Sequence, residues 1–251
     1  MEVLFKTYVG SKLYGLSTET SDTDFKGIFM DTVDAVVPVE NHYFGLYPFK
    51  PQDRIESVVG EGKDKVETTL YSVRYFLQLF LKGNPTLAEI PFVTNEFVTE
   101  STELGHRIMT FIRENMVTQH LFSGYYGYYL DQIRCLVEKQ GVHREKRRDL
   151  VEKLGFDTKM VSHAYRIGVQ GVQLFTDGVI QPTMTGTDLE VARALKLGGS
   201  HTREEVIEMI RVLSAKMKSA METSKLPLQP DFEKVHQFCV DTHKEYFYGK
   251  K

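Results

Sequence analysis

Gly10-Ser11-Lys12-Leu13-Tyr14-Gly15-Leu16-Ser17-Thr18-Glu19-Thr20-Ser21-Asp22-Thr23-Asp24 is the stretch on which the reading of this chain turns. The residues before it, Val3-Leu4-Phe5-Lys6-Thr7-Tyr8-Val9, are β-branched and aromatic and stop at Gly10-Ser11, which predicts a strand entering a glycine turn. A second strand is predicted over 22–30, and the hydroxyl-rich 11–21 between them has room for one helical turn and a loop. Successive side chains of a strand point to opposite faces, so Asp22 and Asp24 leave the same face with their carboxylates close together. Two such anions repel, and hard oxygen donors at this spacing suit Mg²⁺ or Mn²⁺. The Gly-Ser turn ahead of them supplies backbone N–H groups and one hydroxyl, the equipment for holding a nucleotide's terminal phosphates. By itself, a pair of Asp at i, i+2 more often marks a solvated strand face or a turn.

Farther along, residues 31–63 carry weak patterns and are read as mostly irregular, 65–69 as a strand, and 70–82 as a helix with Leu70, Val73, Phe76, Leu77, Phe80 and Leu81 at helical spacing. Past Phe97 the pattern is helix after helix, about 101–116, 118–140, 144–154, 158–177, 187–196, 202–223 and 230–246, punctuated by Gly and Pro. An α/β first half and an all-α second half follow, with a boundary near residue 115. Lys159, His163 and Arg166 fall at i, i+4 and i+7, so one helix face would present three donors to a phosphate or, in the plainer reading, a solvated charged stripe. Asn84-Pro85 with Glu89 reads as scaffold, Asn84 capping the next turn and Glu89 bonding to backbone. Gly124-Tyr125-Tyr126-Gly127-Tyr128-Tyr129 reads as helix packing before base stacking. His143-Arg144-Glu145-Lys146-Arg147-Arg148 is the one local basic patch.

Composition narrows the function classes. With 251 residues, 41% hydrophobic and 26% charged, the chain is an ordinary globule and neither disordered nor fibrous. A net charge of −3 argues against a protein that wraps nucleic acid with its whole surface, though not against a local basic groove. No apolar run approaches the roughly 18 to 20 residues that span a bilayer, and the N-terminus lacks a signal-like pattern, so a cytoplasmic protein without membrane contact is expected. Cys135 and Cys239, without CxxC spacing, are expected as buried thiols.

The run Gly10-Ser11-x-x-Tyr14-Gly15-x-x-Thr18-x-x-Ser21-Asp22-x-Asp24-Phe25-x-Gly27-Ile28 resembles the signature of the DNA polymerase β nucleotidyltransferase superfamily, and within it the RlaP-type branch associated with RNA repair. The similarity continues through Glu67 to Phe76, Lys82-Gly83-Asn84-Pro85-Thr86 with Glu89, and Lys159-x-x-x-His163-x-x-Arg166. It implies an α+β fold, a small mixed β-sheet core of the polymerase palm type forming a catalytic domain over 1–115, followed by an all-α substrate-binding domain over 116–251. It also implies that Asp22, Asp24 and Glu67 ligate two Mg²⁺ or Mn²⁺ ions, with Asp64 the rival for the third carboxylate. Gly10, Ser11, Lys159, His163 and Arg166 would bind the nucleotide. The implied reaction is in-line attack of an acceptor hydroxyl on the α-phosphorus of a nucleoside triphosphate, releasing pyrophosphate. The implied acceptor is an RNA end, tRNA among them. A protein hydroxyl is the alternative acceptor, and a silent nucleotide-binding protein the alternative class.

Overall fold

The computed structural model describes residues 2–32, 52–137, 151–152 and 154–249. Strand β1 (Val3–Val9) runs into a one-turn helix α1 (Gly10–Leu13), and β2 (Thr23–Phe29) returns beside it. The strands β3 (Arg54–Val59) and β4 (Val66–Ser72) form a hairpin around a 3-10 turn at Gly62–Asp64. Next come α2 (Val73–Leu81), the short α3 (Pro85–Ala88), β5 (Val98–Ser101) and α4 (Glu103–Asn115). Among the described residues five helices follow: α5 (Phe122–Val137), α6 (Thr158–Asp177), α7 (Gly186–Leu197), α8 (Arg203–Glu222) and α9 (Phe232–Tyr248). The five strands make one sheet in the order β3-β4-β2-β1-β5, with β2 and β4 parallel and the other neighbours antiparallel. The fold is thus α+β, a small mixed sheet followed by helices.

Local chemistry sets the boundaries. The Ser72 hydroxyl caps α2 by accepting from the Tyr75 N–H, so Leu70 and Tyr71, expected in that helix, belong to β4 and pair with Gly27 and Ile28. Asp157 caps α6 at two N–H groups, and Gly178 closes it at φ +71°. Thr202 and Glu205 form a capping box on α8. Gly27 lies where β1 approaches most closely, since a Cβ there would meet Phe5 O at 2.3 Å. The described part of 31–63 is not all irregular, because Arg54–Val59 pairs with β4. It is an exposed edge strand in which Ile55, Val58 and Val59 do not alternate regularly with polar residues, which hid it from a hydrophobic-pattern reading. The edge strand Val98–Ser101 escaped because it is four residues long and mostly polar. Residues 33–51, most of the expected helix 144–154 and the basic patch 143–148 lie outside the described residues.

One continuous apolar cluster runs from Leu4 and Phe5 in the sheet through Phe76, Phe80 and Ile108 to Val161, Leu174, Ile210 and Val235 in the helices. Tyr125 and Tyr129 are fully buried, with their hydroxyls donating to Ile167 O at 3.2 Å and Ile210 O at 2.9 Å, which is the packing reading of the tyrosine run. Cys135 and Cys239 are half-buried, not buried as expected. Among the described residues no helix is long and apolar enough to cross a membrane.

The last helix is tied back to the sheet by a buried ion pair. His243 Nε2 donates to Asp31 Oδ2 at 3.2 Å, and Nδ1 donates to Cys239 O at 2.6 Å, so both ring nitrogens carry protons. Burial opposes the charge, but hydrogen bonds to Asp31 and Cys239 outweigh it and push His243 up to about 10. Arg74 is the other cation facing Asp31, and it is shared with Asp53. A raised histidine stabilises the fold fully below its ordinary value near 6.5 and loses that contribution as pH rises through about 10. The stability difference between wild type and His243→Gln, from urea unfolding, is therefore expected to be flat between about pH 5 and 6.5 and to shrink towards pH 10. Parallel pH profiles of the two proteins would contradict this.

Candidate active site

The sheet register builds the floor of a cleft. Val9 pairs with Asp24, Asp24 with Glu67 and Glu67 with Val58, so these four residues form one row across β1, β2, β4 and β3. The next row, two residues along each strand, is Thr7, Lys26, Thr69 and Glu56. Paired residues share a sheet face, which brings Asp24 and Glu67 side by side although they stand 43 positions apart in sequence. Asp22 stands just before β2 and lines the same cleft. The cleft has a volume of about 1030 Å³, room for a nucleotide and more.

Gly10 and Ser11 form the wall beside Asp24. Gly10 has φ +68°, and a Cβ on it would lie 2.3 Å from Asp24 Oδ2, so both the left-handed backbone and the carboxylate's position require glycine there. Asp64, the rival third carboxylate, sits on the 3-10 turn, and its neighbours Gly62 and Lys63 face the cleft while Asp64 does not. Glu67 does face it, and Lys65 pairs with its carboxylate.

Burial raises the Asp24 carboxyl above its ordinary range, the negative charges of Asp22 and Glu67 raise it further, and Lys159 and Lys26 partly compensate. Three oxygen donors that repel one another in one cleft fit the chemistry of a hard divalent cation. They do not form a ready-made cage: among the described residues no three acidic, His or Cys side chains are already gathered around one point.

The α6 motif reaches the cleft but does not present three free donors. Lys159, His163 and Arg166 all line it. Arg166 is buried to 1% exposure, with Nη1 donating to Glu89 Oε2 at 2.6 Å and to Gln170 Oε1 at 2.5 Å. Its guanidinium carbon lies 3.7 Å from the centroid of the Tyr14 ring. Arg166 Nη2 donates to His163 Nδ1 at 3.1 Å, which makes Nδ1 the unprotonated nitrogen and leaves Nε2–H facing Tyr128 Oη at 3.3 Å. Burial, then the charges of Arg166, Lys26 and Lys159, hold His163 down to about 3, so its ring is neutral. Lys159 alone keeps an exposed ammonium.

Glu89 was expected to bond to backbone. Instead it is fully buried and accepts from Arg166 and from Tyr14 Oη at 2.6 Å. The expected Asn84 cap is present, with Oδ1 accepting from Thr86 N at 3.0 Å. The second half of the chain also grips the carbonyls that follow α1. Thr183 Oγ1 donates to Leu13 O at 2.9 Å, Arg193 Nη2 to Gly15 O at 2.9 Å, and Lys196 Nζ to Leu16 O at 2.5 Å. Sequence reading missed Tyr14, Lys26, Lys63, Thr69, Thr86 and Lys196 as cleft residues. Only Lys26 left a signal, its period-2 spacing from Asp24. Burial lowers the Lys26 ammonium to about 8.

The family model described as RlaP, RNA repair pathway DNA polymerase beta family, matches residues 1–241. A relative from Enterobacteria phage T4, described as an uncharacterized 38.9 kDa protein in the nrdC-mobD intergenic region, is 29% identical over 186 residues. That match covers 74% of this chain and 50% of the phage protein, so the chain spans about half the length of this relative.

Proposed function

The chain belongs to the RlaP family, the RNA repair pathway DNA polymerase β family, and from that premise we propose that it transfers a nucleoside monophosphate from a nucleoside triphosphate to a hydroxyl at an RNA end, with tRNA among the candidate acceptors. The observation that carries the reading is the placement of Asp24 in register with Glu67, with the side-chain-less Gly10 packed against the Asp24 carboxylate.

Asp22, Asp24 and Glu67 would hold Mg²⁺ or Mn²⁺, which when bound supplies charge neutralisation for the attacking and leaving oxygens. The remaining work falls to the chain itself. The Gly10-Ser11 turn, one hydroxyl beside the carboxylates, receives the triphosphate, and Lys159 brings an exposed positive charge to the same side. Neutral His163 offers no counter-charge and keeps the Arg166 guanidinium in place. Pyrophosphate leaves and no covalent enzyme intermediate forms.

The test is transfer of label from each of the four α-labelled nucleoside triphosphates, with Mg²⁺ or Mn²⁺, to total RNA and total protein. Label in RNA is expected, and the productive triphosphate names the nucleotide. Label in protein would move the acceptor to a protein hydroxyl, and no transfer to either would overturn the enzyme reading.

A further inference from the structure

Lys26 follows Asp24 by two residues on β2, so it leaves the same face of the sheet one row deeper, beside Thr69. Its Nζ donates to Thr86 O at 3.2 Å. Among the described residues that carbonyl is its one hydrogen-bond partner, and it belongs to no ion pair. An ammonium carries three protons, so two are left for the cleft.

A half-buried ammonium that lines a cleft ordinarily finds an anionic partner, because taking the charge partly out of water without one is costly. The nearby carboxylates of Glu89 and Asp24 attract it without pairing with it. Glu89 is committed to Tyr14 and Arg166. Asp24 shares its row with Glu67 on one side and stands against Gly10 on the other. The neighbouring Thr69 adds a hydroxyl to the lining. The floor therefore holds a cation that, among the described residues, makes no ion pair with a carboxylate.

We propose that Lys26, with Thr69 beside it, binds a phosphate group of the substrate at the floor of the cleft. The transferase reading is needed to name the substrate, but the anion site itself stands on the lysine's surroundings. The phosphate has two possible sources, the nucleoside triphosphate and the backbone near the end of an acceptor RNA. Charge-assisted hydrogen bonds to either would satisfy the two remaining protons.

The experiment is titration calorimetry of each nucleoside triphosphate with Mg²⁺, and separately of a short single-stranded RNA, against wild type, Lys26→Met and Lys26→Arg. Lys26→Met keeps the aliphatic stem and removes the charge, so its Tm is expected to equal or exceed that of wild type. At least tenfold weaker binding of one ligand is expected, with recovery in Lys26→Arg, and the ligand affected identifies the source. A loss below tenfold for both ligands, a wild type that binds neither, or a loss that follows a lowered Tm and is not recovered by Lys26→Arg would overturn the proposal. Weakened binding by Lys26→Met in a protein that transfers no label would uphold the phosphate site while the transferase reading fails.

Discussion

Asp24→Asn is expected to reduce nucleotide transfer by at least about 10³-fold, while its Tm in the presence of a chelator stays level or rises. The two effects share one cause. Asp24 is in register with Glu67, packs against Gly10, and is raised by burial and by two neighbouring carboxylates. In the absence of a cation the ionised form works against the fold, and the amide relieves that repulsion. With a bound divalent ion the same carboxylate would be a ligand, and loss of a metal contact worth several kcal/mol in the transition state would give this rate effect at 1.36 kcal/mol per tenfold. The sign with pH follows. A carboxyl raised in the folded state opposes stability above its unfolded value, so the gain from Asn is present at pH 7 and disappears below about pH 4. Initial rates and thermal melts in a chelator check both halves. Activity within tenfold of wild type would remove Asp24 from the catalytic machinery.

How much of this was legible in the sequence depends on whether the information was local. The Gly10-Ser11 turn, the carboxylates two residues apart and the long amphipathic helix over 158–177 are local patterns, and the structure places α6 at Thr158–Asp177. Glu67 could be preferred to Asp64 on the family pattern and on strand alternation, which puts Asp64 on the opposite face, but its place beside Asp24 is a parallel register that no single-sequence periodicity reports. The edge strands β3 and β5 are exposed and lack a regular apolar alternation, so their identity comes from partners and not from their own residues. Glu89 is the clearest case of non-local meaning. Nothing near it in sequence shows that a tyrosine 75 positions before it and an arginine 77 positions after it converge on its two oxygens.

That convergence makes Glu89→Ala the substitution expected to cost the most stability. Glu89 is 0% and Arg166 1% exposed, and the pair joins α6 to the residue that follows α3. Removing Glu89 leaves a buried guanidinium with Gln170 and neutral His163 as its partners, neither of which carries compensating charge. Breaking a buried pair from one side costs about 3–5 kcal/mol, which is a fall in Tm on the order of 10 °C for a chain of this size. Replacing both members with apolar residues removes the uncompensated charge, so Glu89→Met with Arg166→Met is expected to recover most of the loss. Activity should not recover with it, because Tyr14 loses its acceptor and the turn after Ser11 loses one of its ties to the rest of the protein. The measurement is a double-mutant cycle in urea, run beside the transfer assay. Additive losses in the double variant would mean that the two side chains do not act as a pair, and restored transfer would mean that the tyrosine contact does not position the turn.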